Sequence, residues 1–283
     1  PPKPRQNPPE QWAKWRGQAL DSAKQCAKRG AKRAERGLLQ AQLAVTRAKR
    51  RAERRKQKKQ AEQDVADEVR RAVEGNKAQK MLFILHCYGS HFSYHQRYPR
   101  EFAQFRPDDD VAISREHVQT LRNAYDNSIL YTDFFLSETI QYLRGLRGTS
   151  SALLYCADHG EDILDDRRER FLHASPTTTA YQLYVASLAW FSDAYRQNFP
   201  DKAAAAEANA TVPATTHALF HTMADMASIR GNYIDTGVSL VNAGYDRTRP
   251  RRYLNDHNEA VPFRKTGLEP EDMEVFARFG IKP

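Results

Sequence analysis

Ser151-Ala-Leu-Leu-Tyr-Cys-Ala-Asp158-His159-Gly160-Glu161 passes directly from an apolar run to an acid, an imidazole and a glycine. The run from Ala152 to Ala157 is short and made of residues that suit a strand covered on both faces. In open α/β sheets ligands sit beyond the carboxyl ends of the strands, so polar groups there are placed for chemistry. Asp158 and a neutral His159 are both good zinc ligands, and Gly160 is expected to let the backbone turn sharply enough for its neighbours to face one ion. The same residues also fit a solvated turn at a strand end. The surrounding sequence has to decide between them.

Upstream, Met81-Leu-Phe-Ile-Leu85 reads as a second buried strand, and it too ends in ligand-capable residues, Leu85-His86-Cys87-Tyr88-Gly89-Ser90-His91. Between the two lies a long helical pattern, from Ser114 as N-cap to Gly145 or Gly148. Its expected apolar face is Val118, Leu121, Tyr125, Ile129, Phe135, Ile140 and Leu143. Strand, helix and strand make a βαβ unit with parallel pairing and a right-handed crossover, so the fold class is α/β. Two strands ending in His and Asp side chains are what a metal site at a sheet's carboxyl edge requires.

Charge divides the chain. Residues 1–80 carry 23 Lys/Arg against 9 Asp/Glu, a net of +14, whereas residues 81–283 carry 21 against 26, a net of −5. The first part begins with a Pro-rich leader and continues in Ala, Arg, Lys, Gln and Glu with few large apolar residues, a composition that favours helix or disorder. Its densest stretch, Arg50 to Lys59, has two readings: a phosphate-binding surface for nucleic acid or anionic lipid, or a solvated helical extension. No aromatic residue interrupts that run, so base stacking finds no support. Three cysteines at wide spacing give neither a disulfide framework nor a zinc finger. Cys87 and Cys156 read as small buried fillers. No apolar run approaches the ~20 residues that span a bilayer, and no export signal is visible.

The character changes near Asp64, where Val65, Val69 and Val73 share a helical face ahead of a Gly75-Asn76 cap. Beyond Glu161, the segment from Asp162 to Arg170 reads as a solvated charged loop leading to Phe171-Leu-His173. Gln182 to Trp190 reads as a third strand, and Ala203 to Ala210 as a surface loop or short helix. Another helix follows Thr215-Thr216, and a closing helix starts at Pro270. His95, His117, His217 and His221 have no evident partner.

Five segments together resemble one family: Leu85-His86-x-x-Gly89-Ser90-His91, Arg97-Tyr98-Pro99, Asn123 to Asp133, Asp158-His159-Gly160-Glu161, and Leu172-His173. In order and spacing they are similar to the C-terminal part of the periplasmic domain of phosphoethanolamine transferases, members of the alkaline phosphatase/sulfatase superfamily. The resemblance covers roughly residues 64–283, with residues 1–63 as a basic extension, helical or disordered. It implies a sulfatase-like α/β domain, truncated on its N-terminal side. It implies zinc as cofactor, held by Asp158 and His159, with His86, His91 and His173 around the transferred phosphoryl group or a second metal. Glu161 would orient a ligand rather than bind metal. Donor and acceptor would be phosphatidylethanolamine and lipid A or the lipopolysaccharide core, at the periplasmic face of the inner membrane. Asn127 and Asp133 are explained as well by helix-to-loop hydrogen bonds as by function. His257 lies in a tail similar to the family's, with no role assigned.

The sequence departs from the family where a metal-binding glutamate, a threonine nucleophile and a membrane domain would precede residue 64. The nucleophile is therefore expected outside this chain. The expectation is a truncated or frame-disrupted product, or else a half completed by another polypeptide. The rival functions are another phosphodiesterase or hydrolase of the superfamily, or an inactive remnant whose basic segment binds nucleic acid or anionic lipid. A sulfatase nucleophile setting, Cys/Ser-x-Pro-x-Arg, is absent from the sequence.

Overall fold

A helix at 66–74, here α1, buries Ala66 and Val69 and half-buries Val73, and the Gly75 amide closes it on the Arg71 carbonyl at 2.9 Å. The computed structural model describes residues 66–76, 78–173, 178–254, 259–265 and 267–281. The expectations for the basic extension 1–63 and for His257 lie outside the described residues.

The segment Met81–Leu85 differs from the strand expected of it. It joins no ladder among the described residues, and Met81, Leu82, Phe83 and Ile84 are exposed, Ile84 at 78%. Only Leu85 and Cys87 pack inward, against Ala66, Phe135 and Leu136. Apolar content makes a segment eligible for a strand, but the strand forms only where another backbone meets its amides and carbonyls. The strand β1, Ala152–Cys156, takes its partner from the other direction in sequence: β4, Ser187–Phe191, runs antiparallel to it in the register Ala152↔Phe191 to Cys156↔Ser187. The expected parallel βαβ pairing is therefore not formed among the described residues, and β1 is half-buried rather than covered on both faces.

The long helix α2, Val118–Gly145, is where the spacing places it. A single 3-10 turn, Arg115–His117, precedes it, and Ser114 bonds the His117 ring (Oγ to Nδ1, 3.0 Å) rather than capping a backbone amide. Its buried stripe is Leu121, Ala124, Ser128, Tyr131 and Phe135, with Asn123, Asn127 and Leu136 beside it, whereas Ile129 faces solvent. The polar members are buried because the preceding loop satisfies them. Asn127 accepts the amides of Gln104 and Phe105, each at 2.9 Å, and donates to the Phe105 carbonyl at 2.9 Å; Asn123 donates to the Pro107 carbonyl at 2.9 Å. Asn127 is thus a loop anchor, as the helix-to-loop reading expects.

After β1 comes a short hairpin, β2 (Asp162–Ile163) with β3 (Phe171–Leu172). The third strand is shorter than expected. Thr179 caps a helical turn, α3 (Ala180–Leu183), and β4 begins only at Ser187. Ser192 caps α4 (Asp193–Asn198), and α5 (Pro200–Asn209) is a true helix with Ala203 and Ala205 buried. The chain continues through α6 (Ala218–Met226), the pair β5 (Arg252–Leu254) and β6 (Ala260–Pro262), and α7 (Pro270–Arg278), which starts at the expected proline.

Tyr94, Leu121, Ala124 and Ile163 are buried together, with Phe92, Val111, Tyr125 and Phe171 against them. This apolar cluster lies under the β2–β3 hairpin and fixes the hairpin to α2.

Candidate metal centre

The backbone beyond β1 is held close to the 181–186 segment. Ala157 donates to the Ala186 carbonyl at 3.0 Å, and Gly160 donates to the Gln182 carbonyl at 2.8 Å. A Cβ at position 160 would stand 2.0 Å from the Tyr181 carbonyl oxygen. Gly160 is needed for this approach of two backbones. Its φ is not positive, so the glycine serves here for room and not for a left-handed backbone.

The hairpin then places two side chains opposite each other. Its register pairs Asp162 with Leu172 and Ile163 with Phe171, so the next step outward sets Glu161 against His173. The side chains meet: His173 Nδ1 lies 3.0 Å from Glu161 Oε1. Glu161 is 5% exposed at its side chain, and its other oxygen, Oε2, accepts a hydrogen bond from the Tyr94 hydroxyl. Burial, and then Glu161 itself, raise the Tyr94 pKa far above the ordinary phenol value, so the hydroxyl remains a donor.

His159 stands beside this pair. Its Nδ1 is 3.0 Å from the Gly160 carbonyl, and its ring stacks on His173 with centroids 3.5 Å apart and planes 30° from parallel. A carbonyl or carboxylate oxygen only accepts, so in the neutral tautomers each Nδ1 carries the hydrogen and each Nε2 keeps a free lone pair. That is how metal-binding histidines are held, with the outer nitrogen tied and the inner one offered. One ligand atom each from His159, Glu161 and His173 lies within 4.8 Å of the others.

Asp158 is exposed, 87% at its side chain, with Oδ2 3.6 Å from His159 Nε2. That distance is long for a hydrogen bond. It is close to the ~3.3 Å that separates two ligands of a tetrahedral zinc bound at ~2.0–2.1 Å. Imidazole nitrogens with one or two carboxylates are a donor set that zinc accepts, so the residues fit that ion.

The structure brings His159, Glu161 and His173 into one cluster, with Asp158 at its edge. His86 and His91 fall outside it, and both are exposed. His91 turns its Nδ1 to the Phe92 carbonyl at 2.7 Å. Arg97 holds this loop from beneath: Nε donates to the His91 carbonyl, Nη2 to the Phe92 carbonyl at 2.8 Å, and the guanidinium covers the Tyr88 ring at 4.8 Å.

Asp162, expected in a solvated loop, is instead 1% exposed. Thr179 Oγ1 bonds it at 3.0 and 2.9 Å and Gln182 Nε2 at 2.5 Å, and burial raises its pKa against those bonds. Asp165 and Asp166 are likewise engaged, by Arg122 at 3.0 Å and by Arg168 at 2.6 Å. Tyr94 carried no sequence signal, since an aromatic in a polar loop names no partner. Asp162 carried no signal either: alternation sets it opposite Ile163, on the face a pattern assigns to solvent, and it is buried because Thr179 and Gln182 bond it.

A protein-family model described as Sulfatase matches residues 11–229, more than three-quarters of the chain. Among curated proteins, the Kdo(2)-lipid A phosphoethanolamine 7''-transferase of Escherichia coli K12 is 40% identical over 136 residues, 47% of this chain and 23% of that protein. The phosphoethanolamine transferase EptA of Salmonella typhimurium LT2 is 31% identical over 158 residues, 54% and 28% of the two chains. The matched stretch thus spans about a quarter of these relatives' length. Among solved structures, the C-terminal periplasmic domain of phosphoethanolamine transferase EptC from Campylobacter jejuni aligns with a TM-score of 0.58 and 26% identity, covering 65% of this chain and 59% of that one. The corresponding Escherichia coli EptC domain, in complex with Zn, aligns with a TM-score of 0.60 at 24% identity, covering 71% and 56%. These likenesses show the α/β fold of such domains.

Proposed function

The chain belongs to the sulfatase family, and from that we propose that it is the zinc-holding part of a phosphoethanolamine transferase. The donor is phosphatidylethanolamine and the acceptor lipid A or the lipopolysaccharide core, at the periplasmic face of the inner membrane. The likeness to the Escherichia coli and Salmonella typhimurium transferases supports that substrate class. The observation that carries the reading is the cluster of His159, Glu161 and His173 beyond β1, with the Nδ1 of each histidine facing an oxygen acceptor.

Asp158 and His159 hold the zinc in this reading. Bound zinc supplies Lewis-acid neutralisation of phosphoryl oxygens and acidifies a coordinated hydroxyl. His173 presents Nε2 toward the phosphoryl group or the metal, and Glu161 fixes the tautomer that does so. His86 and His91 are assigned phosphoryl contacts by family resemblance alone. The nucleophile, a threonine by the same resemblance, is expected outside this chain. Among those residues no helix is long and apolar enough to cross a membrane. The basic segment, Arg50 to Lys59, is a separate proposal as a surface for anionic lipid or nucleic acid, and binding that falls steeply with salt is its signature.

The test pairs metal analysis of the purified chain with mass spectrometry of lipid A from cells that express it together with the nucleophile-bearing part of the enzyme. Stoichiometric zinc, lost in His159→Ala and His173→Ala, together with a histidine-dependent phosphoethanolamine adduct, is the expected result. A chain without zinc overturns the metal centre. With the nucleophile-bearing part supplied, a zinc-loaded chain that leaves lipid A unmodified overturns the transferase assignment.

A further inference from the structure

Tyr94 is a buried tyrosine that the proposed chemistry does not use. It sits in the 3-10 turn Tyr94–Gln96, 1% exposed, with the rings of Phe92 and Tyr125 edge-on to it at 5.4 and 5.1 Å and Phe171 tilted against it at 6.3 Å. A tyrosine hydroxyl carried into such a cluster needs a partner. Here the partner is a side-chain carboxylate, and that carboxylate's other oxygen holds a ring of the metal cluster.

A carboxylate held through one oxygen alone is free to turn about its last torsion, which has only broad preferences. With Tyr94 donating to Oε2 and His173 donating to Oε1, the plane of Glu161 is fixed from both sides. His173 can then keep its hydrogen on Nδ1 and its lone pair on Nε2. We propose that Tyr94 is a positioning residue for the metal centre: through Glu161 it fixes the tautomer and orientation of His173, and it touches neither metal nor substrate itself. The inference rests on the metal centre of His159, Glu161 and His173, not on the identity of the acceptor.

The experiment uses the whole chain and two substitutions that keep an aromatic ring in place. Tyr94→Phe removes only the hydroxyl. Tyr98→Phe is the control, a tyrosine buried as deeply (2% exposed) whose hydroxyl bonds Asp108 at 2.7 Å, outside the cluster. Zinc affinity is read by competition with a chelator, and histidine tautomers are read by ¹⁵N NMR of the zinc-free protein. Loss of such an outer partner weakens metal binding by about 10- to 100-fold. Tyr94→Phe is expected to show that loss and to blur the single Nδ1–H tautomer of His173. Tyr98→Phe changes neither. Added to Glu161→Gln, Tyr94→Phe produces no further loss, because both act through the same carboxylate.

Wild-type zinc affinity in Tyr94→Phe overturns the inference, and so does an equal loss in Tyr98→Phe or a loss that adds to that of Glu161→Gln. If the wild-type chain binds no zinc, the metal-centre reading falls and the tautomer measurement still decides this one: an unchanged His173 signal in Tyr94→Phe overturns it.

Discussion

Replacing Asp272 by alanine is predicted to loosen the hairpin that carries Glu161 and His173, although Asp272 lies on α7. Its carboxylate is fully buried and accepts four hydrogen bonds. Two come from Arg168, Nη1 and Nη2 each at 2.8 Å; the others come from the Ala180 amide at 2.8 Å and the Glu269 amide at 2.9 Å. Arg168 stands in the turn between β2 and β3, so one side chain ties the hairpin, the start of α3 and the start of α7 together. Removing one member of a buried, hydrogen-bonded ion pair costs about 3–5 kcal/mol. Arg168 keeps Asp166, at 2.6 and 2.9 Å, which places the cost near the lower end, about 3 kcal/mol. For a unit the size of Lys58–Pro283, 1 kcal/mol moves the melting temperature by about 2–4 °C, so the expected fall is about 6–12 °C. Thermal unfolding followed by circular dichroism measures it. A fall of less than about 2 °C would mean that water replaces Asp272 at no net loss, and the tie would not hold the hairpin.

Gly160→Ala would drive its Cβ to 2.0 Å from the Tyr181 carbonyl oxygen, and relief requires breaking the Gly160–Gln182 bond. Overpacking of this kind costs about 1–3 kcal/mol. Zinc binding should suffer more than the melting temperature, because the displaced backbone lies between His159 and Glu161; zinc titration of the variant with unaltered affinity would refute this. Stability should also fall in acid. Hydrogen bonds from Arg168 hold Asp166 below the usual carboxylate range. For Asp272, burial pushes the pKa up, but Arg168 and the Ala180 and Glu269 amides outweigh it and the result is lowered. Both therefore stabilise the fold fully above the unfolded value near ~3.9, and that stabilisation is lost as pH falls through their lower folded values. Asp162, raised by burial, acts in the opposite sense between that unfolded value and its own higher one. Chemical denaturation across pH should therefore show the fall below about pH 4 and not at pH 5–6; a midpoint unchanged down to pH 2 would contradict it.

The parts of the fold legible in sequence are those decided by neighbours along the chain. The spacing of α2, the valine face and glycine cap of α1, and the proline that opens α7 are local signals, and each element stands where they put it. The misread parts are those decided by a distant backbone. Met81–Leu85 has a strand's composition, but its partners would have to come from elsewhere in the fold, and β1 is paired by a segment some thirty residues after it. Asn123 and Asn127 broke the hydrophobic pattern of α2 for a similar reason. What makes them good core residues is a loop that bonds them, and a pattern of apolar positions does not register loops.

The candidate site divides the same way, and the division explains how it is held. Asp158, His159 and Glu161 lie within four residues, so their motif was readable from neighbours; His173 was named only by family resemblance, and it comes to them through the hairpin. Strands of two residues have too few ladder bonds to resist a slip, so the register must be held by side chains. Ile163 enters the cluster of Tyr94, Leu121 and Ala124, with Phe171 beside it. Asp162 points the other way, into bonds from Thr179 and Gln182, while the Ile163 amide donates to Asp165 at 2.6 Å. A slip of one residue would exchange the two faces, burying a carboxylate among aromatic rings and leaving Thr179 and Gln182 without their acceptor. The contact between Glu161 and His173 is thus set by residues that never touch it. Tyr94 belongs to both sides of that arrangement: its ring helps hold Ile163 and Phe171, and its hydroxyl ends on the carboxylate that their register delivers.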